Sequence, residues 1–229
     1  MKRARVALVE DHQLFAEVLD LSLTMQGYDV VRVPLGEHLR SADSLYTPLV
    51  RANPGIALLD LDLGPVGSAI RLIEPLARAG IHVVVVTGES DRVRWGECLR
   101  YGARRVIPKA VPLQEVLGTV RRLNDGLPVM RREEREELIT EWQQHRATMH
   151  ALRERIEQLT NREKEILGHL MLGHHVRDIA QLNVVSQATV RTQVKSILDK
   201  LEVCSQLSAV GVAYRAQWRP AEPVASAAR

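Results

Sequence analysis

Short apolar runs recur along the first half of the chain, at 6–9, 30–33, 56–59, 83–86 and 106–107. Each is rich in β-branched residues and bounded by turn or charged residues. Runs of that length and composition predict buried strands. Between them the apolar spacing changes to three and four. Leu14, Phe15, Val18, Leu19, Leu21 and Leu23 form one broad stripe over 12–26, with Gly27 placed as a C-cap. Ile70, Ile73, Leu76 and Ala77 repeat the pattern over 68–79, closed by Gly80, and further repeats cover 90–101 and 112–123. Strands alternating with helices imply parallel pairing, and strands apolar along their whole length imply cover on both faces. The expectation for 1–125 is therefore α/β, a five-stranded doubly wound parallel sheet.

The pattern changes after 124. Asn124-Asp125-Gly126-Leu127-Pro128 interrupts the periodicity, while 131–158 contains no Gly or Pro and is rich in helix formers. Leu138, Trp142, His145, Met149, Leu152, Ile156 and Leu159 alternate steps of four and three. That heptad seam predicts a helical linker over 126–158 and a candidate coiled coil, with packing on the chain's own domains as the competing expectation.

Residues 159–215 predict an all-α unit of four short helices. Thr160 and Glu163 have capping-box spacing, and Ile166, Leu167, Leu170 and Met171 come next, up to Gly173. Val176, Ile179 and Ala180 mark a second helix, and Ser186 caps a third that runs to about Leu201. Val190, Val194, Ile197, Leu198 and Leu201 face inward on it, leaving Gln187, Thr189, Arg191, Thr192, Gln193 and Lys195 outside. Two helices across a tight turn, the second polar and basic outside, predict a helix-turn-helix. His174 and His175 read as solvated loop residues, since no Cys or further His stands at ligand spacing. The Pro/Ala-rich 216–229 reads as a disordered tail.

Composition narrows the classes. The chain has 229 residues, 45% hydrophobic and 26% charged, which fits two globular domains rather than a disordered protein. No apolar stretch is long enough for a membrane span, and the first apolar run is too short for a signal peptide. Cys98 and Cys204 cannot make a disulfide framework, which points to the reducing cytoplasm. Aromatics at 3% argue against a stacking platform for single strands. The net charge of +3 divides into +2 over 1–123, −2 over 124–158 and +3 over 159–229, so the small last segment carries the largest excess. That excess points to a polyanion.

Candidate chemistry comes from the sheet. Functional residues of doubly wound sheets gather where strands end. Those ends hold Glu10 and Asp11, Asp60, Thr87 and Lys109. Hard carboxylate oxygens suit Mg²⁺, and a carboxylate can attack phosphorus, with Lys109 neutralising the phosphoryl oxygens and Thr87 donating to one.

The stretches VALVEDHQLF, ALLDLDLG, VVVVTGES and GARRVIPKAVP resemble the receiver domain of two-component response regulators. The resemblance implies that Asp60 takes a phosphoryl group from a sensor histidine kinase. It also implies that Glu10, Asp11 and Asp60, with the backbone carbonyl of Asp62, bind Mg²⁺, while Thr87 and Lys109 sense the phosphoryl group. Three positions depart from the pattern. Val106 stands where receivers commonly carry a switching aromatic, Ala110 comes after the lysine, and the 64–67 loop is short. LTNREKEIL and DIAQLNVVSQATVRTQVKSILDKLEV resemble the DNA-binding domain of the NarL/LuxR type. This implies base contacts from Arg191, Thr192, Lys195 and Gln193, phosphate contacts from Gln187 and Thr189, and a dimerising fourth helix at about 205–214.

The whole is thus identified as a member of the NarL/LuxR-type response regulators: a cytoplasmic, non-enzymatic regulator of transcription. Its expected partners are double-stranded DNA, a sensor kinase, a second copy of itself and RNA polymerase. Two alternatives stay open: a phosphorylation-independent DNA-binding regulator, constitutively dimeric or controlled by a ligand, and a phosphohydrolase of haloacid-dehalogenase type built on Asp60-x-Asp62.

Overall fold

The computed structural model describes residues 4–36, 39 and 41–220. The chain divides into two compact units, Met1–Gln143 and Gln144–Arg229.

In the first unit five strands, β1 (Arg5–Val9), β2 (Asp29–Arg32), β3 (Ile56–Leu59), β4 (His82–Thr87) and β5 (Arg105–Pro108), pair in the order β2-β1-β3-β4-β5. Every pairing is parallel. Successive side chains of a strand point to opposite faces, so one sheet feeds two cores. Ala7, Val9, Ala57, Leu59, Val83 and Val85 pack with α2 (Tyr46–Ala52), α3 (Ile70–Arg78) and α4 (Arg92–Arg100). Val6, Leu8, Ile56, Leu58, Val84 and Val86 pack with α1 (Gln13–Met25) and α5 (Leu113–Asn124). With Val9 opposite Leu59 and Leu59 opposite Val85, β1 and β3 end level while β4 runs two residues further to Thr87, so the residues just after β1 and β3 share one edge with the end of β4.

One helix is not read from the sequence, and one apolar stripe is only half used. Helix α2 has no counterpart in the apolar periodicity. It is seven residues long, and only Leu49 within it is buried, so no amphipathic repeat has room to develop. On α1 the inward row is Ala16, Leu19 and Leu23, whereas Leu14, Val18 and Leu21 are exposed together with Met25. The one broad stripe expected there is split, and the sheet covers only part of it.

Helix α6 (Arg132–Glu157) forms as predicted, but its seam is used within the chain. In the first unit Leu138 and Trp142 are buried, and Trp142 meets the Tyr101 ring edge-on with centroids 6.4 Å apart. Arg135 donates to the carbonyls of Leu99 and Ala103 at 2.6 and 2.8 Å. Glu141 receives Arg92 at 2.7 Å, and Glu137 receives it at 3.0 Å. The crossing on α4 needs Gly96, where a Cβ would sit 2.0 Å from the Leu138 carbonyl oxygen. In the second unit Leu152, Ile156 and Leu159 join the terminal core, and His145 is exposed between the two sets. Both ends of the stripe thus find apolar partners in their own unit, which is the competing expectation for this seam.

The second unit contains α7 (Asn161–Met171), α8 (Val176–Leu182), α9 (Gln187–Leu201) and α10 (Gln206–Arg215). Thr160 and Glu163 form the expected capping box, and Ser186 accepts from the Thr189 amide at 3.0 Å. Ile166, Leu167, Ile179, Val190, Ile197 and Val212 make the core. Ala216 is buried in it and Trp218 packs against it, so ordered packing runs past the predicted boundary at 215. The remainder of the predicted tail, 221–229, lies outside the described residues. Among the described residues no helix is long and apolar enough to cross a membrane.

Candidate functional site

The strand ends bring Glu10, Asp11, Asp60, Thr87 and Lys109 to one edge. Asp60 is 4% exposed, and Thr87 is fully buried at the end of β4. The Lys109 ammonium donates to Asp60 Oδ2 at 2.7 Å and to Glu10 Oε1 at 2.6 Å. Its nitrogen also lies over the Phe15 ring, 5.3 Å from the centre. Burial opposes the charge on Lys109, yet the bonds to Asp60 and Glu10 outweigh it and raise its pKa. Desolvation raises the Glu10 pKa, and the bond from Lys109 pulls it back only in part.

His12, which the strand-end pattern left out, belongs to this group. Its Nδ1 lies 2.8 Å from Asp11 Oδ1 and 3.4 Å from Lys109 Nζ, and its backbone amide donates to Glu10 at 2.9 Å. Ligand atoms of Glu10, Asp11, His12 and Asp60 all fall within 4.8 Å of one another. The available signal was its place directly after the acidic pair, at the N-cap of α1. Three carboxylates face a single ammonium here, a deficit of positive charge that a hard divalent cation matches. The donor set therefore fits Mg²⁺. The Asp62 carboxylate turns away and accepts from the Gly64 amide at 3.1 Å. Gly64, at φ +58°, lets the short loop pass beside Asp11, since a Cβ there would lie 3.3 Å from Asp11 Oδ2.

From Thr87 the hydrogen bonds run toward α4. Its hydroxyl accepts from the Glu89 amide at 3.1 Å, and Glu89 in turn binds Arg94 at 2.8 Å and, through its carbonyl, the Trp95 indole at 3.1 Å. Val106 is buried in the core shared with Cys98, Leu99 and Leu138, and it carries no polar end to reach Thr87.

The second candidate surface is on α9. Val190, Val194, Ile197 and Leu201 are buried there. Gln187, Thr189, Arg191, Thr192 and Lys195 are exposed, and Gln193 is half-buried. Two of these groups are partly committed: Thr189 Oγ1 lies 2.9 Å from Ser186 Oγ, and Thr192 Oγ1 donates to the Ala188 carbonyl at 3.1 Å. The helix is held from behind by Glu163 of α7, 2% exposed, which accepts from Ser196 and Lys200 at 2.6 Å each and from the Thr160 amide at 2.7 Å. Desolvation would raise the Glu163 pKa, but the bonds from Lys200, Ser196 and Thr160 bring it down to about 2.

A parallel sheet with an acidic cluster and a lysine at the ends of its strands, in one chain with a helix-turn-helix, defines a receiver-type regulator. Residues 6–121 match the model of the response regulator receiver domain, and residues 157–213 match that of the bacterial regulatory proteins of the luxR family. The chain belongs to the response regulators that join these two domains. Similar proteins include the transcriptional regulatory protein DesR of Bacillus subtilis, 22% identical over 93% of this chain and 98% of that protein. The response regulator protein VraR of Staphylococcus epidermidis is 28% identical over 92% of this chain and 96% of its own length. Among solved structures, the RcsB response regulator of Salmonella typhimurium shares the fold with a TM-score of 0.51 at 19% identity, over 92% of this chain and 98% of that one.

Proposed function

We propose that this chain is a cytoplasmic transcription factor phosphorylated on Asp60 by a sensor histidine kinase, and that phosphorylation controls its dimerisation and promoter binding. One observation carries the reading. Asp60 is buried at the strand edge with Lys109 2.7 Å from one oxygen and the Glu10 and Asp11 carboxylates beside it. An Asp60 oxygen forms the new O–P bond as the N–P bond of a phosphohistidine breaks, and the imidazole leaves with the bonding pair. Lys109 holds the negative phosphoryl oxygens, and the Thr87 hydroxyl donates to one of them. Glu10, Asp11, Asp60 and the Asp62 carbonyl would hold Mg²⁺, which offsets charge on the transferring group. The exposed row of Leu14, Val18, Leu21 and Met25 starts next to this edge and supports α1 as the place where the phosphoryl donor docks.

DNA binding rests on the outer face of α9. Arg191, Thr192, Gln193 and Lys195 address base edges, and Gln187 and Thr189 address phosphates. Leu207 and Tyr214, exposed on α10, support pairing of two chains there, with RNA polymerase as the downstream partner.

The test is labelling with a small phosphodonor in Mg²⁺. Wild type takes up one phosphoryl group and Asp60→Asn takes up none; equal labelling of the two removes the assignment. Val106 motivates a second reading in which DNA binding ignores phosphate, because the core position below Thr87 lacks a switching aromatic. An operator affinity unchanged by beryllofluoride with Mg²⁺ would favour it.

A further inference from the structure

The turn between α7 and α8 brings together two imidazoles that sequence spacing did not pair. His169 lies near the end of α7 and His174 just beyond Gly173, whose φ of +80° reverses the chain. The His174 amide donates to the His169 carbonyl at 3.1 Å, which pins the turn. Both side chains are half-buried, their ring planes are 34° apart, and the two Nδ1 atoms approach to 3.1 Å.

Two ring nitrogens can be this close in two ways. One can donate a proton to the other, or both lone pairs can converge on one cation. At metal–nitrogen bonds of about 2.05 Å, ligand nitrogens stand about 3.3 Å apart in tetrahedral and about 2.9 Å apart in square-planar geometry. The observed 3.1 Å falls between them. Glu165, one turn before His169 on the same helix, carries a carboxylate whose negative charge acts on the His169 ring. That carboxylate now pairs with Arg162 at 2.7 Å. Desolvation and the neighbouring His174 both lower the His169 pKa, which favours the neutral ring that a metal ligand needs.

We propose that His169 and His174 form a two-nitrogen binding site for a borderline divalent transition-metal ion, of the Zn²⁺, Ni²⁺ or Cu²⁺ class, with water completing the shell. Imidazole nitrogen selects such ions over Mg²⁺, so the site is chemically separate from the carboxylate edge of the receiver. Its occupation would fasten the end of α7 to the residues that start α8, the first helix of the helix-turn-helix.

The experiment uses the full-length, untagged protein with Mg²⁺ in excess to saturate the carboxylate site. Zn²⁺ and Ni²⁺ are titrated by calorimetry, and Cu²⁺ is followed by electron paramagnetic resonance. Wild type should bind one equivalent, with nitrogen hyperfine coupling on Cu²⁺. His169→Gln and His174→Gln should each weaken binding roughly tenfold or more while keeping the circular dichroism of wild type. His145→Gln, exposed on α6, should leave binding unchanged. Equal affinity in wild type and His174→Gln, or loss of binding only in His145→Gln, would overturn the proposal and leave the phosphoacceptor reading untouched.

Discussion

Val184, in the turn between α8 and α9, has φ of +52° and is 91% exposed. A β-branched residue is strained in that region of backbone space, and here no buried contact compensates. Val184→Gly should raise the unfolding free energy by about 1 kcal/mol in urea titrations, the reverse of an ordinary substitution to glycine. Glu163 makes the opposite case, a charge held by its neighbours. Its pKa of about 2 lies below the ordinary 4.5, so it stabilises the fold fully above pH 4.5 and loses that effect as pH falls toward 2. Glu163→Gln should cost about 2–3 kcal/mol at pH 7 and flatten the stability profile between pH 4.5 and 2. The capping role of Glu163 was legible from its spacing to Thr160. Its bonds to Ser196 and Lys200 were not, because those partners lie 33 and 37 positions away in the chain.

At the scale of elements, the contact of α6 with α4 depends on the absence of a side chain at Gly96. Alanine normally stabilises a helix interior relative to glycine by about 1 kcal/mol. Gly118→Ala on α5, with no neighbouring atom within 4 Å of the new Cβ, should show that gain. Gly96→Ala should instead lose about 1–3 kcal/mol, since the methyl group runs into the Leu138 carbonyl and the Trp142 side chain. Tryptophan emission should shift in the same variant as Trp142 becomes wetter, and a gain in stability at Gly96 would show that α6 does not pack there. The heptad steps correctly marked a helix with an apolar seam. They could not say what covers it, because a stripe that fits a second helix also fits a domain surface of the same chain.

For the whole molecule, the receiver edge and the α9 face make separable demands. Operator binding should weaken steeply with salt, with a slope near −0.9 for each phosphate neutralised, and Arg191→Ala should cost about 1–3 kcal/mol and relax specificity at one base pair. A salt-independent affinity would remove DNA as a partner. Much of this was readable in advance. Five apolar runs, the residues that close them, and a capped helical segment with one polar face set the class of each unit, since periodicity and strand-end position are local properties of the chain. Tertiary packing alone decided the rest. It turned Leu14, Val18 and Leu21 outward, drew His12 into the acidic edge, set His174 against His169, and used the linker seam inside the chain. Each of these depends on which of several competent surfaces lies within reach after folding, and spacing along the sequence does not encode that choice.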